Sequence, residues 1–549
     1  MLSSLNTISR IILSAFFFIY PFFFLNFTFE APEISKLILL IFVVLLVLFI
    51  ESIKITSSKK IDFITHTFLF PLFLLACNYI VSTIAVSPNK ILPLVSPLST
   101  STWIFLFLLY LLITAKSYEK QRIFLLDLTA YGSVFVAIYV LLMYLGLFQL
   151  NVITPLGNLL STSIFFLIVI IYLFASLLKK KNIISFISLI IITTAQIFLV
   201  YHLFTNQKPI LLSNAIGIQI FKEIAKDPKS LLLGVGPSNF ISAFTLAKPV
   251  SINQSSLWNI TFSSSSSFFL NLISETGIIS GIMFIFIILS SIYLCISNFT
   301  LYINLLILSV LLLIFPGNTA LLILLTTLLT GVSNIKTLKT ISLDKLGFFI
   351  FTIPLIVLIF LFSISYLLAK AYLAEYYYFQ SFSKLALSDE TLKYNFQRNA
   401  VANNPYMDKY HLAISKSSLI LGDELLTKED ITETEKQKIP KLIEQAIEEG
   451  RIAINLNNTN VVNWDNLSKI YASLIAFAPG ADKWAIEIAK QTIALDPQNP
   501  NHYLSLAQIH INLNQYSLAE KYVNLALTLK KDLPKAQDLL SIIKKNKSI

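Results

Sequence analysis

The chain has 549 residues, of which 56% are hydrophobic and 13% charged, with a mean hydropathy of +0.75. Soluble globular proteins average about 25% charged residues, so this composition excludes a soluble globular enzyme. Repeated apolar runs of about twenty residues predict a polytopic membrane protein instead. Cys77 and Cys295 are the only cysteines and lie inside such runs, which excludes a disulfide framework and a CxxC metal or redox motif.

The net charge of +11 is unevenly distributed along the chain. Residues 370–549 carry 21 Lys and Arg against 20 Asp and Glu, so the excess positive charge belongs to the first two thirds. In an apolar context these cations indicate membrane topology, and no nucleic-acid partner is predicted.

Apolar windows predict about eleven spans in an all-α, polytopic transmembrane helical bundle. The predicted spans lie near 11–29, 37–52, 63–83, 101–115, 125–148, 158–178, 183–204, 268–296, 299–315, 318–333 and 346–369. The short loops on the same side of the membrane as the N-terminus hold nearly all the cations of short loops. The short loops on the opposite side hold only Lys36 and Lys90. By the positive-inside rule the N-terminus is cytoplasmic.

An odd number of spans places two large segments outside the cytoplasm. We therefore expect a membrane domain, 1–369, with a large outer loop at about 205–267, followed by an extracytoplasmic domain, 370–549. One span more or fewer would invert the placement of the C-terminal domain.

The first half of the outer loop predicts an amphipathic helix. One face carries Gln219, Lys222, Glu223 and Lys226, and the other carries Ile216, Ile220, Phe221 and Ile224. Periodicity alone favours a helix at the membrane interface with its cations towards the headgroups.

Two further features of the loop could bind a ligand. Gly234 and Gly236 permit a tight turn in which backbone N–H groups approach an anion, although no Walker or Rossmann pattern surrounds them. Asn253 and Trp258 offer an amide and an aromatic surface, a combination suited to sugar rings. Any exposed loop can hold such residues, so a purely structural role stays open.

Two ionisable residues lie in or beside the predicted spans. Glu275 falls about two turns into the eighth span, where a carboxylate is costly unless it is paired or faces water, and it is therefore a candidate catalytic residue. The alternative is a helix-packing hydrogen bond. His202 lies at the outer end of the seventh span and could titrate near neutrality, or it could simply be an amphipathic interfacial residue.

The C-terminal domain contains a helical repeat. The segment "AINLNNTNVVNWDNLSKIY" recurs as "TIALDPQNPNHYLSLAQIH", with the 34-residue tetratricopeptide (TPR) period between Pro497 and Lys531 and an insertion around "FAPGA". Ala485 and Ala519 occupy the small-residue position that lets paired helices approach. The pattern predicts a TPR-type α-solenoid that binds a protein partner, or a rigid spacer without one.

The order of these features resembles the O-antigen ligase and polymerase family, in particular its members with a C-terminal TPR array. The resemblance rests on the amphipathic outer helix, "LLLGVGPSNFISAF", "INQSSLWN" and "FFLNLISETGIISG". It implies a multi-pass protein of the bacterial cytoplasmic (inner) membrane that transfers a glycan from an undecaprenyl-pyrophosphate donor to a glycan, lipid or protein acceptor, without a metal or nucleotide sugar.

The chain departs from the family at two kinds of residue. The family's loop His and Asn fall on Ser266 and Ser267, and its pyrophosphate-binding arginines have no counterpart, because residues 205–267 contain no Arg. The hypothesis is that loop lysines, Lys208, Lys222, Lys226 and Lys248, hold the pyrophosphate as point charges. Glu275 or His202 would then orient or deprotonate the acceptor.

Three functions are weighed. The first is a lipid-linked oligosaccharide glycosyltransferase with an extracytoplasmic TPR array. The second is a non-catalytic, membrane-anchored TPR docking protein for cell-envelope assembly. A lipid-carrier flippase is third, because transporters usually have intramembrane charges and internal repeats that are not evident here.

Overall fold

The computed structural model describes residues 2–116, 119–147, 153–179, 181–205, 209–294, 299–333 and 335–547. The α-helices of these residues are, in chain order, α1 (Leu2–Ile19), α2 (Ala31–Ser58), α3 (Leu69–Ala85), α4 (Leu92–Val95), α5 (Thr100–Lys116), α6 (Glu119–Tyr144), α7 (Leu159–Lys179), α8 (Ile183–Thr205), α9 (Asn214–Ile224), α10 (Pro228–Leu233), α11 (Phe240–Ala247), α12 (Phe268–Leu294), α13 (Phe299–Ile314), α14 (Thr319–Val332), α15 (Thr352–Gln380), α16 (Lys384–Leu387), α17 (Glu390–Asn403), α18 (Asp408–Leu426), α19 (Glu433–Lys436), α20 (Lys438–Leu456), α21 (Val461–Ser473), α22 (Ala481–Leu495), α23 (Pro500–Asn512), α24 (Tyr516–Leu529) and α25 (Pro534–Lys547). Two 3₁₀-helices cover Val250–Gln254 and Asp344–Phe351.

The chain divides into two compact units. The apolar unit comprises Met1–Ala85, Pro93–Asn214 and Ser265–Tyr372, and the repeat unit comprises Val86–Leu92, Ala215–Ser264 and Leu373–Ile549. The sequence places a boundary at residue 369 and assigns the whole outer loop to the membrane domain. In the structure most of that loop clusters with the repeats, because its contacts with them are long-range and leave no periodic trace in the sequence.

Each of the eleven predicted apolar segments contains a helix in the apolar unit, but the first segment, near 11–29, is helical only as far as Ile19. Among the described residues, six helices are long and apolar enough to cross a membrane: Ala31–Ser58, Lys120–Tyr144, Leu159–Lys179, Ile183–Thr205, Phe268–Tyr293 and Gly347–Gln380. Five shorter apolar helices, of 10–17 residues, account for the other segments. Their buried faces share one core that includes Tyr20, Phe165 and Leu328.

Two short antiparallel sheets depart from the all-α prediction. Strand β1 (Lys60–His66) pairs with strand β4 (Ile335–Ser342), and β2 (Ile153–Thr154) pairs with β3 (Gly157–Asn158). The sequences "KIDFITH" and "IKTLKTIS" are rich in the β-branched residues that favour strands. The third apolar helix consequently begins at Leu69 rather than near residue 63.

The repeat unit contains the predicted TPR-type helix pairs. Helix α18 pairs with α20, α21 with α22, and α23 with α24, while α25 packs on the last pair. An extended residue follows α17 and the second helix of each pair. These residues have φ between −152° and −140° and are Asn404, Asn457, Asp496 and Lys530. The spacing from Asp496 to Lys530 is 34 residues, the TPR period.

The predicted details of the repeat agree with this arrangement. Ala485 and Ala519 are fully buried where paired helices meet. The "FAPGA" insertion forms the long connection between Ser473 and Ala481, which the next repeat replaces with three residues between Asn512 and Tyr516. The charged segment "TKEDITETEKQK" carries the short helix α19 between the paired helices α18 and α20.

Candidate functional site

A helix break adjoins Glu275 in the apolar unit. Gly277 has φ 77° and ψ 179°, which interrupts α12 in a conformation that glycine adopts at low cost. Glu275 is only 5% exposed and lies two residues before the break. Broken apolar helices free backbone groups for ligands, and buried carboxylates in apolar segments are functional candidates.

Helix α3 supplies the polar partners of this break. The Asn78 side chain donates to the Thr276 carbonyl at 2.8 Å and to Ser280 Oγ at 2.7 Å. Ser82 Oγ donates to the carbonyl of Glu275 at 3.4 Å, and Tyr79 lies within electrostatic reach of the Glu275 carboxylate. We name Asn78, Tyr79, Ser82, Glu275 and Gly277 the broken-helix site.

The sequence prediction of this site omits its α3 residues. The sequence does indicate these residues, because "ACNYIVST" places an amide and hydroxyls inside an apolar run. Polar side chains in such a run usually contact another helix. A single sequence does not reveal which helix that is.

Ser266, a predicted binding residue, is also in the apolar unit. It is 3% exposed and immediately precedes Ser267, whose Oγ accepts the backbone N–H of Leu270 at 3.1 Å and so caps α12. Both serines lie about two to three turns before Glu275 on the same segment of chain.

His202 lies in a separate small pocket of the apolar unit. The pocket is lined mainly by apolar residues, among them Met143 and Phe198, together with Thr154. The imidazole packs edge-on against Tyr144, with 6.4 Å between ring centroids. His202 thus lies on α8, in a pocket lined by α6, α7 and α8, whereas the broken-helix site is built from α3 and α12.

The two-glycine turn packs against protein in the repeat unit. Gly234 and Gly236 have φ of 71° and 99°, as a tight turn requires. A Cβ on Gly236 would lie 2.6 Å from Ser87 Cα, and Ser87 Oγ donates to the carbonyl of Pro237 at 3.4 Å. Gly236 therefore permits close approach of another backbone segment.

Lys248 forms a buried ion pair with the repeats. Its Nζ lies 2.9 Å from Asp496 Oδ1, and the two side chains are 4% and 2% exposed. Asp496 also accepts from Asn499 at 3.0 Å and contacts His502 Nε2 at 3.3 Å. An anionic ligand predicted to bind Lys248 would therefore have to compete with the Asp496 carboxylate for its ammonium group.

Asn253 and Trp258 contact the same edge of the array. Asn253 Nδ2 donates to the carbonyl of Gln498 at 2.8 Å, and Lys530 Nζ donates to the carbonyl of Asn253 at 3.0 Å. The Lys530 ammonium lies 5.1 Å from the ring centroid of Trp258, a cation–π contact. The Trp258 ring, which is predicted to stack on a sugar, thus contacts the Lys530 ammonium of the protein itself.

These contacts follow one path along the array. Four residues lie at or beside the turns that follow α17, α20, α22 and α24: Tyr406, Thr459, Gln498 and Leu529. In chain order they contact Asn89, in the segment 86–92, and then two residues of the loop. Asn89 donates to Tyr406 at 2.7 Å, Ser242 donates to the carbonyl of Thr459 at 3.1 Å, and Asn253 reaches both Gln498 and Leu529. We call these contacts the loop strap.

The remaining predicted lysines lie outside the strap. Lys222 and Lys226 are exposed on and just after α9, as its amphipathic pattern predicts, and Lys226 pairs with Glu223 at 2.6 Å. Ile220 and Ile224 on the opposite face are buried. Lys208 lies outside the described residues.

The ion pair of Lys248 and Asp496 continues into the repeats through His502. Burial raises the pKa of Asp496, but the hydrogen bond to His502 and the charge of Lys248 outweigh it and lower that pKa. Burial lowers the pKa of His502, but its contacts with Asp465 and Asp496 outweigh it and raise that pKa. The ionised forms of both groups are therefore stabilised.

Across the described residues no three His, Cys, Asp or Glu side chains are grouped as metal ligands. The predicted residues that the structure describes thus fall into three places: Glu275 and Ser266 on one segment of the apolar unit, His202 in its own pocket, and the loop residues from Lys222 to Trp258 on the repeat unit.

Comparison with known proteins gives matches among solved structures. No family model and no curated protein matches the chain. Similar solved structures include MamA, at 14% identity over 32% of this chain and 82% of that chain, with a TM-score of 0.26. TTC0263, a TPR protein of Thermus thermophilus, is 19% identical over 37% of this chain and 97% of its own, with a TM-score of 0.26. The Cut9–Hcn1 assembly of the APC/C covers 80% of this chain and 93% of that chain at 10% identity and a TM-score of 0.17. The TPR-like arrangement itself is defined by the helix pairs and the 34-residue spacing.

Proposed function

We propose that the protein is a membrane glycan transferase of the O-antigen ligase-like class, acting on an undecaprenyl-pyrophosphate donor at the outer face of the bacterial cytoplasmic membrane. The observation that carries the proposal is the burial of Glu275 beside the helix break at Gly277. The resemblance in the order of the sequence motifs supports it.

A purely structural anchor does not account for the apolar unit. One span is enough to hold a repeat array at a membrane, whereas the described part of this unit contains eleven apolar helices. Buried polar side chains inside such helices are costly and usually serve function. The broken-helix site combines a carboxylate, a phenol and a break in the helical backbone on two of these helices.

In the proposed reaction an acceptor hydroxyl attacks the anomeric carbon of the donor glycan. The new carbon–oxygen bond replaces the bond to the pyrophosphate, which leaves with the lipid carrier. Glu275 accepts or orients the hydroxyl proton, as a general base does within hydrogen-bond reach of its substrate. Asn78 and Ser82 hold the backbone on which that carboxylate is presented.

The test is transfer of a labelled glycan from an undecaprenyl-pyrophosphate donor by the full chain reconstituted in lipid. Glu275→Gln should lower the rate at least about 100-fold, the usual contribution of a general base. Glu51→Gln is the matched control, because Glu51 also lies on an apolar helix but pairs with Lys54 at 3.8 Å. Equal rates for both variants would remove Glu275 from the mechanism.

The loop strap favours a second candidate, a membrane-anchored docking protein. It ties a loop to the repeat array, which makes the array a fixed platform. Phe477 in the inserted turn is 81% exposed, and aromatic residues are enriched at protein interfaces. A photocrosslinker at Phe477 that captures one envelope protein, in a chain without transferase activity, would support this function; transfer without capture would oppose it.

A further inference from the structure

The first helices of the repeat pairs form one continuous layer with α25. Helix α18 packs on α21, and α23 packs on α25. Between α18 and α21, the Asn466 side chain donates to Ser415 Oγ at 2.9 Å. Between α21 and α23, Asp465 Oδ1 lies 3.7 Å from His502 Nδ1. Helices in such contact have axes about 8–10 Å apart. We call α18, α21, α23 and α25 the first-helix layer.

One position of this layer repeats a hydrogen-bond donor. Twelve places after the extended residue that precedes α18, α21 and α23, each helix carries a long side chain with N–H groups: Lys416, Lys469 and Gln508. Both lysines are exposed and Gln508 is half-buried. Gln508 donates to Asn512 Oδ1 at 3.0 Å, which uses one of its two amide N–H groups. Because the helices are neighbours, the three side chains form a row with steps of about 8–10 Å. We call it the donor row.

The donor row carries positive charge that its surroundings do not neutralise. Within the part of the chain that the structure describes, Lys416 forms no ion pair, whereas Lys469 pairs with Asp465 at 2.6 Å and Lys393 of α17 pairs with Glu390 at 3.0 Å. The surrounding helices partly desolvate Lys416 and lower the pKa of its ammonium group. The charges of Lys469 and Lys393 lower that pKa further, and Asp465 opposes them. A carboxylate bound beside Lys416 would relieve this repulsion.

The spacing of the row matches that of one peptide conformation. A polyproline II helix rises about 3.1 Å per residue and has three residues per turn. Residues three apart in such a peptide therefore lie on one face, about 9 Å from each other. Carboxylates at every third residue would meet successive members of the donor row.

We infer that the donor row binds an acidic peptide segment in the polyproline II conformation, with Asp or Glu at every third residue. Two successive carboxylates accept from Lys416 and Lys469, and the third accepts from Gln508. Single exposed ion pairs contribute little, so binding requires several pairs in register. This inference goes beyond the proposed function and does not depend on glycan transfer.

The probe is a labelled peptide with three glutamates, one at every third residue among alanine and serine. It is bound to the full chain in phosphatidylcholine nanodiscs at low ionic strength and followed by fluorescence anisotropy. An isomer of the same composition has its glutamates at every second residue, so no two of them match the step of the row. The first peptide should bind about two- to fivefold more tightly, the effect of one additional exposed ion pair.

Substitution of Lys416 tests the row itself. Lys416→Gln should weaken the first peptide about two- to fivefold and remove most of its advantage over the isomer, whereas Lys416→Arg should retain both. Lys490→Gln is the matched control, because Lys490 is also exposed but lies on α22, a second helix. It changes the net charge equally and should leave the preference between the peptides intact.

Equal binding of the two peptides would show attraction to net charge alone and would overturn the inference. Equal effects of Lys416→Gln and Lys490→Gln, or loss of binding in Lys416→Arg, would do the same. Tighter binding of an oligogalacturonate than of the first peptide would overturn it in favour of an acidic glycan. A reconstituted chain that binds the peptide in register and transfers no glycan would retain the donor row and remove the proposed function.

Discussion

Lys248 and Asp496 form an ion pair across 248 positions of sequence, with 2.9 Å between Nζ and Oδ1 and almost no exposure of either side chain. Two charges of this kind are costly to bury and tolerable only together. The pair therefore fixes one position of the outer loop on the repeat array.

Replacement of Lys248 by Met should destabilise the repeat unit by up to about 3–5 kcal/mol, because Asp496 would keep a buried charge with only His502, at 3.3 Å, as a cationic partner. The measurement is chemical unfolding of the full chain, followed by a probe on α22. Lys222→Met removes an exposed lysine of the same loop and should change stability little. A double variant, Lys248→Met with Asp496→Leu, should recover much of the loss; no recovery would show that the pair is not the cause.

The stability of the repeat unit should depend on pH through His502. Its folded-state pKa is raised above the ordinary 6.5, so its stabilisation is complete below about pH 6.5 and is lost as the pH rises through the folded value. The pKa of Asp496 is lowered from 3.8, so its stabilisation is present above about pH 4 and is lost as the pH falls through the folded value. We expect maximal stability between these limits.

The melting temperature as a function of pH tests this expectation. His502→Gln should reduce the decline above pH 6.5 without removing it. Contacts with Glu449 and the Pro405 carbonyl outweigh burial and also raise the pKa of His411, which contributes with the same sign. An unchanged decline in His502→Gln would assign the pH dependence to His411 or to other groups.

Gly236→Ala should loosen the contact between the two-glycine turn and Ser87. The new Cβ would lie 2.6 Å from Ser87 Cα, and φ of 99° is unfavourable for alanine. We expect faster hydrogen exchange in residues 86–92 and 234–240. Gly480→Ala is a control that is also strained but has no clash, because nothing lies within 4 Å of its Cβ position; equal effects on residues 86–92 would refute the packing role of Gly236.

Gly277→Ala should affect the broken-helix site directly. An alanine at φ 77° is strained by about 1–3 kcal/mol, and straightening of α12 would displace the carbonyl groups that Asn78 and Ser82 hold. We expect lower stability and loss of glycan transfer. Ile278→Ala, at the neighbouring half-exposed position, should retain transfer; retention by Gly277→Ala as well would mean that the break is dispensable.

Structure that follows from a repeated pattern of neighbouring residues can be predicted from the sequence, because it depends on interactions within one segment. Apolar runs predict the helices of the apolar unit, and the 34-residue spacing of Pro497 and Lys531 predicts the helix pairs of the array. Ala485 is predicted as a close-packing residue and is fully buried.

Contacts between distant segments cannot be predicted in the same way. Lys248 and Trp258 are residue types that often bind ligands. Only the fold shows that Lys248 pairs with Asp496 and that Trp258 contacts Lys530. Asn78 is visible as a polar residue in an apolar run, but its partner Thr276 is 198 residues away. One sequence without its fold does not distinguish a ligand from another part of the same chain.

The loop strap also constrains how this array can change in evolution. Solenoids ordinarily gain or lose units freely, because each unit contacts only its neighbours. Here a single loop and the short segment at Asn89 reach the turns at Tyr406, Thr459, Gln498 and Leu529 in fixed order. Duplication or deletion of a unit between Tyr406 and Leu529 would shift later turns out of reach, so the length of the loop and the number of repeats must change together.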